Sequence, residues 1–311
     1  AGYFKSVKST LLFFSNFYFW KTSPYFVSES DLEPLLHTWS LSIEEQFYIF
    51  FPAILLIFHK FLKKYIFLLF ISCFLLSILI CQILAVKTGG TLNFYFTFSR
   101  AWELALGSMC AYVLIEKKVT VSNFFENLFS LIGLFLIIFS VFFFNKQTIY
   151  PSFYTLAPTI GTALIILFAN ENSIIKKLLS IKLLVGFGLI SYSLYLWHQP
   201  LLAFGRIIFD NFSYNLKITI LFISFLLSIL SYNFVEKIFR NRKKLKLDIF
   251  LKTSLISVIF LISFSQININ FFSKKNSSAV STAKLLVNND AVYLTKMDDR
   301  KFVKIELYMR L

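Results

Sequence analysis

Three short runs place ionisable side chains inside otherwise apolar sequence. The first is Leu36-His37-Thr38-Trp39-Ser40-Leu41-Ser42-Ile43-Glu44-Glu45-Gln46-Phe47-Tyr48. On a helix, His37, Ser40, Glu44 and Tyr48 share one face, at i, i+3, i+7 and i+11. Glu44 then sits about 10 Å along the axis from His37, and Glu45 is turned about 100° away from Glu44. One carboxylate is therefore expected to face a cavity and the other a neighbouring helix. In Ser99-Arg100-Ala101-Trp102-Glu103, Arg100 and Glu103 are i, i+3 neighbours. They form either a self-neutralising pair that anchors a helix end or a site where Arg100 holds an oxyanion or orients a carboxylate. In Ser191-Tyr192-Ser193-Leu194-Tyr195-Leu196-Trp197-His198-Gln199-Pro200, one face carries Ser191, Tyr195 and His198, with Pro200 poised to kink the helix beside His198. A fourth run, Val235-Glu236-Lys237-Ile238-Phe239-Arg240, reads as charge at a helix end, with a phospholipid or cofactor phosphate contact as the alternative. Each ionisable group inside a bilayer costs about 2.5–3.5 kcal/mol on insertion scales, so function is the default reading for such residues.

The elements that must position them are membrane helices. Of 311 residues, 57% are hydrophobic and only 15% charged, with 41 phenylalanines. Mean hydropathy is +0.71. A soluble domain is roughly 45–50% apolar and about 25% charged, so the composition excludes a soluble globular protein, a disordered chain and a disulfide scaffold. The net charge of +15 comes from clusters between apolar runs, which argues against nucleic-acid binding. Cys73, Cys81 and Cys110 lie within apolar segments and read as packing residues, with no metal framework. Nine runs are candidate spans, at 6–20, 36–58, 65–86, 94–115, 125–144, 153–170, 183–207, 216–236 and 249–272, the first of them short of the usual length. The expected fold is all-α, a polytopic integral membrane protein with about nine transmembrane helices.

Alternate loops hold sixteen and five lysines and arginines, which assigns the richer set, including Lys5, Lys8, Lys60, Lys63 and Lys64, to the cytoplasm. His37, Arg100, Glu103 and His198 then fall in the outer part of the bilayer on three spans, with Glu44 deeper. A polar cavity open to the outside is the economical arrangement. The stretch from 273 is expected outside, with Lys274-Lys275-Asn276-Ser277-Ser278 as a linker and strand-like runs beyond 291.

At these residues the chain resembles the membrane acyltransferase 3 family, often described as O-antigen or peptidoglycan O-acetyltransferases. The resemblance rests on the run Leu35 to Tyr48, on Arg100-Ala101-Trp102-Glu103-Leu104 with Gly107, and on Ser191 to His198; Ser15-Asn16-Phe17-Tyr18-Phe19-Trp20 adds to it. It covers residues 5–245 and implies a membrane domain over 1–245, an additional transmembrane helix at 246–272 and an extracytoplasmic tail at 273–311. It also implies acetyl transfer from cytoplasmic acyl-CoA to a hydroxyl of a cell-surface glycan or lipid-linked sugar, in a bacterial cell membrane. Acetyl-CoA would be a donor substrate, with no bound cofactor, and the partners would be glycan and membrane lipids. The family's early helix with a histidine credited as catalytic, and its basic segment, have no counterpart here, nor does a Gly-Asp-Ser motif in the tail. The membrane domain is thus expected to be N-terminally incomplete, and its activity alone an open question.

Acyl transfer to a sugar needs a base for the hydroxyl proton and positive charge for the oxyanion. His37 or His198 would be proton acceptor or substrate ligand. Glu44 or Glu45 would orient a histidine or hold a sugar hydroxyl. Arg100 would stabilise charge, positioned by Glu103. A glycan or lipid transporter could use the same intramembrane charges, although the sequence lacks paired broken helices and symmetric halves. An inactive, truncated acyltransferase remnant is the third reading.

Overall fold

The computed structural model describes residues 2–22, 31–88, 91–116, 121–145, 148–209, 211–240 and 247–290. The elements are α1 (Gly2–Leu11), α2 (Ser15–Thr22), α3 (Thr38–Phe61), α4 (Ile66–Thr88), α5 (Thr91–Tyr95), α6 (Thr97–Glu116), α7 (Asn123–Phe143), α8 (Leu156–Phe168), α9 (Ile174–Leu179), α10 (Lys182–Ile208), α11 (Tyr214–Ser231), α12 (Lys237–Arg240) and α13 (Leu247–Asp290). Among the described residues there is no strand. Five helical stretches among the described residues are long and apolar enough to cross a membrane: Thr38–Phe61, Lys63–Lys87, Asn123–Phe143, Tyr214–Arg240 and Phe250–Asn270. Large apolar side chains such as Leu56, Val86, Ile115 and Phe142 point outward. In water such a surface would aggregate; in lipid it is the solvated face. The protein is an all-α membrane protein.

The first expected span is not one helix. Residues 6–20 fold into an antiparallel hairpin of α1 and α2, turned at Leu12–Phe14, where Phe13 adopts a left-handed φ of 56°. The reason is polar. In a continuous helix the Ser15 amide would bond back to residue 11; here it donates to Ser42 Oγ at 3.2 Å, while Ser15 Oγ donates to the Thr38 carbonyl at 2.9 Å. Tyr18 Oη reaches back to the Gly2 carbonyl at 3.2 Å. Gln46 Nε2 caps the turn on the Phe13 carbonyl at 2.7 Å and holds Asn16 Oδ1 at 3.0 Å. The hairpin therefore enters from the end where α3 begins and reaches Gln46, about two turns down α3. Lys5 and Lys8 accordingly lie at the same end as the start of α3, not opposite it.

The remaining candidate spans are helical where expected. The fourth is broken at Phe96, between α5 and α6. The sixth, with a 3-10 turn at Phe153–Thr155, covers Phe153–Phe168, about 24 Å against a hydrocarbon core of about 30 Å. The loop before it must bury its irregular backbone in protein. Asn93 Nδ2 donates to the Pro151 carbonyl at 2.6 Å, and the Phe153 amide donates to Gln82 Oε1 at 3.1 Å. The Ser152 and Thr155 side chains close a capping box. Backbone helix also continues through residues 274–278, where a linker was expected. That stretch contains no glycine or proline to interrupt the hydrogen-bond ladder. The strand-like runs expected beyond 291 lie outside the described residues.

Helices α7 and α8 meet at two glycines. A Cβ on Gly133 would lie 2.6 Å from the Gly161 carbonyl oxygen, and one on Gly161 would lie 2.7 Å from that of Gly133. Backbones this close pack through small residues, as lipid-embedded helices commonly do. Gly133→Ala is expected to force the helices apart and cost about 1–3 kcal/mol, read as a lower melting temperature of the detergent-solubilised protein. Gly186→Ala, where a Cβ meets nothing within 4 Å, is the control expected to melt unchanged.

Candidate functional site

The segment before α3 is tied to the end of α10. Arg206 pairs with Asp31 at 3.3 Å and donates to its carbonyl at 3.1 Å; Gln199 Nε2 donates to the Glu33 carbonyl at 3.3 Å. This brings His37, just before α3, against His198 on α10. Their rings lie 5.4 Å apart, and the His37 ring is 5.0 Å from Tyr195. Tyr195 Oη donates to the His37 carbonyl and accepts from Ser40 Oγ at 2.7 Å. The faces read from helical spacing thus meet: Ser40 of one bonds Tyr195 of the other.

His198 Nδ1 lies 2.7 Å from the Tyr195 carbonyl. A carbonyl only accepts, so Nδ1 carries the proton and a neutral His198 presents Nε2 as its basic atom. His37 is 7% exposed, yet both of its ring nitrogens are buried without a hydrogen-bond partner. Such groups are rare in folded proteins and point to a ligand or function. The two histidines line a cavity of about 320 Å³ with Asp31, Trp39, Ser40 and Gln199.

Trp39 and Ser40 also wall a smaller cavity, about 60 Å³, whose other walls include Glu44, Arg100 and Glu103. Here Arg100 makes a forked pair with Glu103, Nε to Oε1 at 3.2 Å and Nη2 to Oε2 at 2.8 Å. Nη2 also donates to Tyr150 Oη at 2.9 Å. The guanidinium lies 5.0 Å from the Trp39 ring, 5.3 Å from Tyr150 and 5.7 Å from Phe94. Fork, phenol and ring faces all favour the charged form in a dry site.

A third cavity, about 380 Å³, lies deeper and is lined by Glu44, Glu45, Tyr48, Thr10, Phe13 and Tyr192, among others. Glu44 and Glu45 both line it, whereas the sequence predicts one facing a cavity and the other a neighbouring helix. The α1–α2 turn and Tyr192 form the far wall, so the open space wraps more than 100° of α3. Glu44 lines both inner cavities; Glu45 lines only the deeper one. The six expected residues therefore fall into a histidine pair at the mouth, the Arg100–Glu103 pair with Glu44 beneath it, and Glu45 one step further in. Glu236 accepts from Ser193 at 2.9 Å and from Arg240 at 3.0 Å at a π-helical turn. Among the described residues no three His, Cys, Asp or Glu side chains gather as metal ligands would.

Sequence reasoning missed Tyr150. It lies on a loop fifty residues from Arg100, and no helical spacing relates the two. Thr10 was missed because residues 6–20 read as a single span.

The buried fork generates a stability ranking. Glu103→Gln leaves the Arg100 charge without its counter-ion and is expected to cost about 3–5 kcal/mol. Tyr150→Phe removes one hydrogen bond, at about 1 kcal/mol, up to about 3 for a charged partner. Melting temperatures of the solubilised variants check the order; equal losses would mean that Glu103 does not neutralise Arg100.

A family model described as an acyltransferase domain matches residues 7–232. The chain is similar to O-acetyltransferase OatA of Staphylococcus aureus, with 28% identity over 251 residues, covering 75% of this chain and 41% of that protein. It is also similar to peptidoglycan O-acetyltransferase OatA of Listeria monocytogenes, with 30% identity over 241 residues, covering 73% of this chain and 39% of that protein. The chain thus spans about two fifths of the length of these relatives. No solved structure matches it.

Proposed function

Since the chain belongs to the acyltransferase domain family, we propose that it forms the membrane part of an O-acetyltransferase acting on a cell-envelope glycan. The donor is acetyl-CoA from the cytoplasm, used as a substrate. The acceptor is a sugar hydroxyl on the outer face, with peptidoglycan favoured because one relative is named for it. The observation that carries the reading is the shared wall, Trp39 and Ser40, between the histidine cavity and the Arg100 cavity. It sets a candidate base beside a candidate oxyanion holder.

The chemistry follows from that juxtaposition. The acceptor hydroxyl loses its proton to a histidine, with His198 Nε2 the better placed because Nδ1 is fixed on a carbonyl. The oxygen attacks the thioester carbonyl, and a C–O bond forms. Arg100 stabilises the oxyanion. The C–S bond then breaks, the thiolate leaves with the bonding pair, and the proton passes to it. The products are the sugar ester and the CoA thiol. Glu103 and Tyr150 position Arg100, and His37 offers its unpartnered ring nitrogens to the acceptor.

The finer topology belongs to the same proposal. The helices from α3 onward supply eight crossings in place of nine, and the α1–α2 hairpin dips in from outside. Moving Lys5 and Lys8 to the outer side leaves fourteen basic residues against seven, still favouring cytoplasmic placement of the Lys60–Lys64 end. The membrane is then the bacterial cell membrane, with α13 running outward. In a cysteine-free background, cysteine at Asn145, just past the end of α7, is expected to react with an impermeant external thiol reagent and cysteine at Lys63 to stay shielded; the reverse pattern would invert the protein.

The functional test uses the full-length protein in cells lacking other O-acetyltransferases, reading base-labile acetate on purified peptidoglycan. His198→Gln is expected to lower the acetate at least 100-fold with protein abundance kept. Ser40→Ala, which loses one hydrogen bond to Tyr195, is expected to lower it less than tenfold. Wild-type acetylation in His198→Gln would remove His198 as the base.

A further inference from the structure

A fourth cavity adjoins the Arg100 site on its other flank. It measures about 150 Å³ and lies between α6 and α8, walled by Leu106, Gly107 and Cys110 on one helix and Ala163 and Ile166 on the other, with Glu103 at one end. Its chemistry is almost entirely apolar. Thr159 and Thr162 also line it, but their hydroxyls are spent on their own helix, bonding the Thr155 and Pro158 carbonyls at 2.9 Å each. The Glu103 carboxylate is committed to Arg100. Among the described residues no free polar group is left here to recognise a sugar or a phosphate, whereas an alkyl chain would meet a mostly apolar wall.

Glu103 lines both this groove and the Arg100 cavity, so the two spaces adjoin at the reacting end. The Arg100 cavity, at about 60 Å³, equals about two water volumes of ~30 Å³, enough for a carbonyl with one methyl. An apolar cavity of about 150 Å³ is large enough to take benzene. Gly107 keeps the groove open: a Cβ built there meets no atom within 4 Å, so helix packing does not demand glycine.

We propose that this groove between α6 and α8 holds the alkyl tail of acyl donors longer than acetyl, so that Gly107 and its neighbours set the acyl chain length the protein transfers. The proposal rests on the acyl-transfer reading of the Arg100 site. Transfer itself is unchanged: the thioester carbonyl sits at Arg100, and carbons three to six extend along α6 toward Cys110. Each buried methylene strengthens binding about fourfold, so a four-carbon donor gains about fifteenfold from the groove.

The test supplies membranes containing the full-length protein with acetyl-, propionyl-, butyryl- and hexanoyl-CoA and identifies glycan esters by mass spectrometry. The wild type is expected to transfer propionyl and butyryl groups, with kcat/KM for butyryl-CoA at least equal to that for acetyl-CoA. Gly107→Leu fills the groove and is expected to keep acetyl transfer within twofold while lowering butyryl transfer at least tenfold. Thr162→Leu, on the opposite wall, is expected to shift selectivity the same way and serves if Gly107→Leu is poorly produced. Transfer of acetyl alone by the wild type, or equal losses for every donor in both variants, would overturn the groove and leave the acyl-transfer reading standing. Unchanged selectivity with loss of a co-purified lipid would assign the groove to a bilayer chain and likewise overturn it. No transfer from any donor by the wild type would sink the acyl-transfer reading, and the groove with it.

Discussion

A guanidinium that cannot lose its proton lies among membrane helices, and much of the surrounding structure accommodates it. Arg100 is too costly to leave unpaired in a medium of low dielectric. Glu103 neutralises it from one turn further along α6, with both carboxylate oxygens engaged. Trp39, Phe94 and Tyr150 close over its faces. That enclosure imposes demands further out. Tyr150 must be delivered by a loop at membrane depth, and the loop must have its own backbone satisfied; Asn93, Gln82 and the Ser152–Thr155 box do this. Trp39 must be fixed by the first turn of α3, and the α1–α2 hairpin packs there. A charge held this rigidly has already borne the cost of orientation. That is what an oxyanion site requires, because reorganisation during reaction is what raises the barrier.

Helix α3 is the other organising element. Its polar face runs from His37 past Ser40 and Glu44 to Tyr48, and three cavities open along it in sequence. The histidine pair stands at the mouth, the cation in the middle and the carboxylates beyond. The helix itself is secured by side chains that bond the α1–α2 hairpin and α6. Ser42 binds Ser15, and Gln46 holds Phe13 and Asn16 while accepting from Thr97. Hydrogen bonds to the hairpin thus hold α3 in place beside the cavities that it lines.

Most of this was legible in the linear sequence because helical spacing is a local property. The His37–Ser40–Glu44–Tyr48 face, the Arg100–Glu103 pairing and the Tyr195–His198 face all follow from periods of three and four, and side chains of the first meet both of the others. The failures have non-local causes. Residues 6–20 read as one short span, and it takes tertiary partners on α3, Ser42 on the Ser15 amide and Gln46 on the Phe13 carbonyl, to explain why the helix turns at Phe13. The divergence expected for Glu44 and Glu45 assumed that a neighbouring helix covers each flank of α3; the hairpin leaves open space there. Tyr150 belongs to the Arg100 site through tertiary contact alone.

The central claim is that Arg100 acts on the oxyanion and does more than anchor α6. Steady-state kinetics of Arg100→Lys in the full-length protein tests this most directly. Lysine keeps the positive charge and the pairing to Glu103 but cannot reproduce the planar fork that holds the charge in place. The account expects kcat to fall at least 100-fold with KM for acetyl-CoA changed less than threefold and protein abundance retained. A variant with normal kcat, or one whose only defect is reduced abundance, would make the pair a structural anchor and contradict the account.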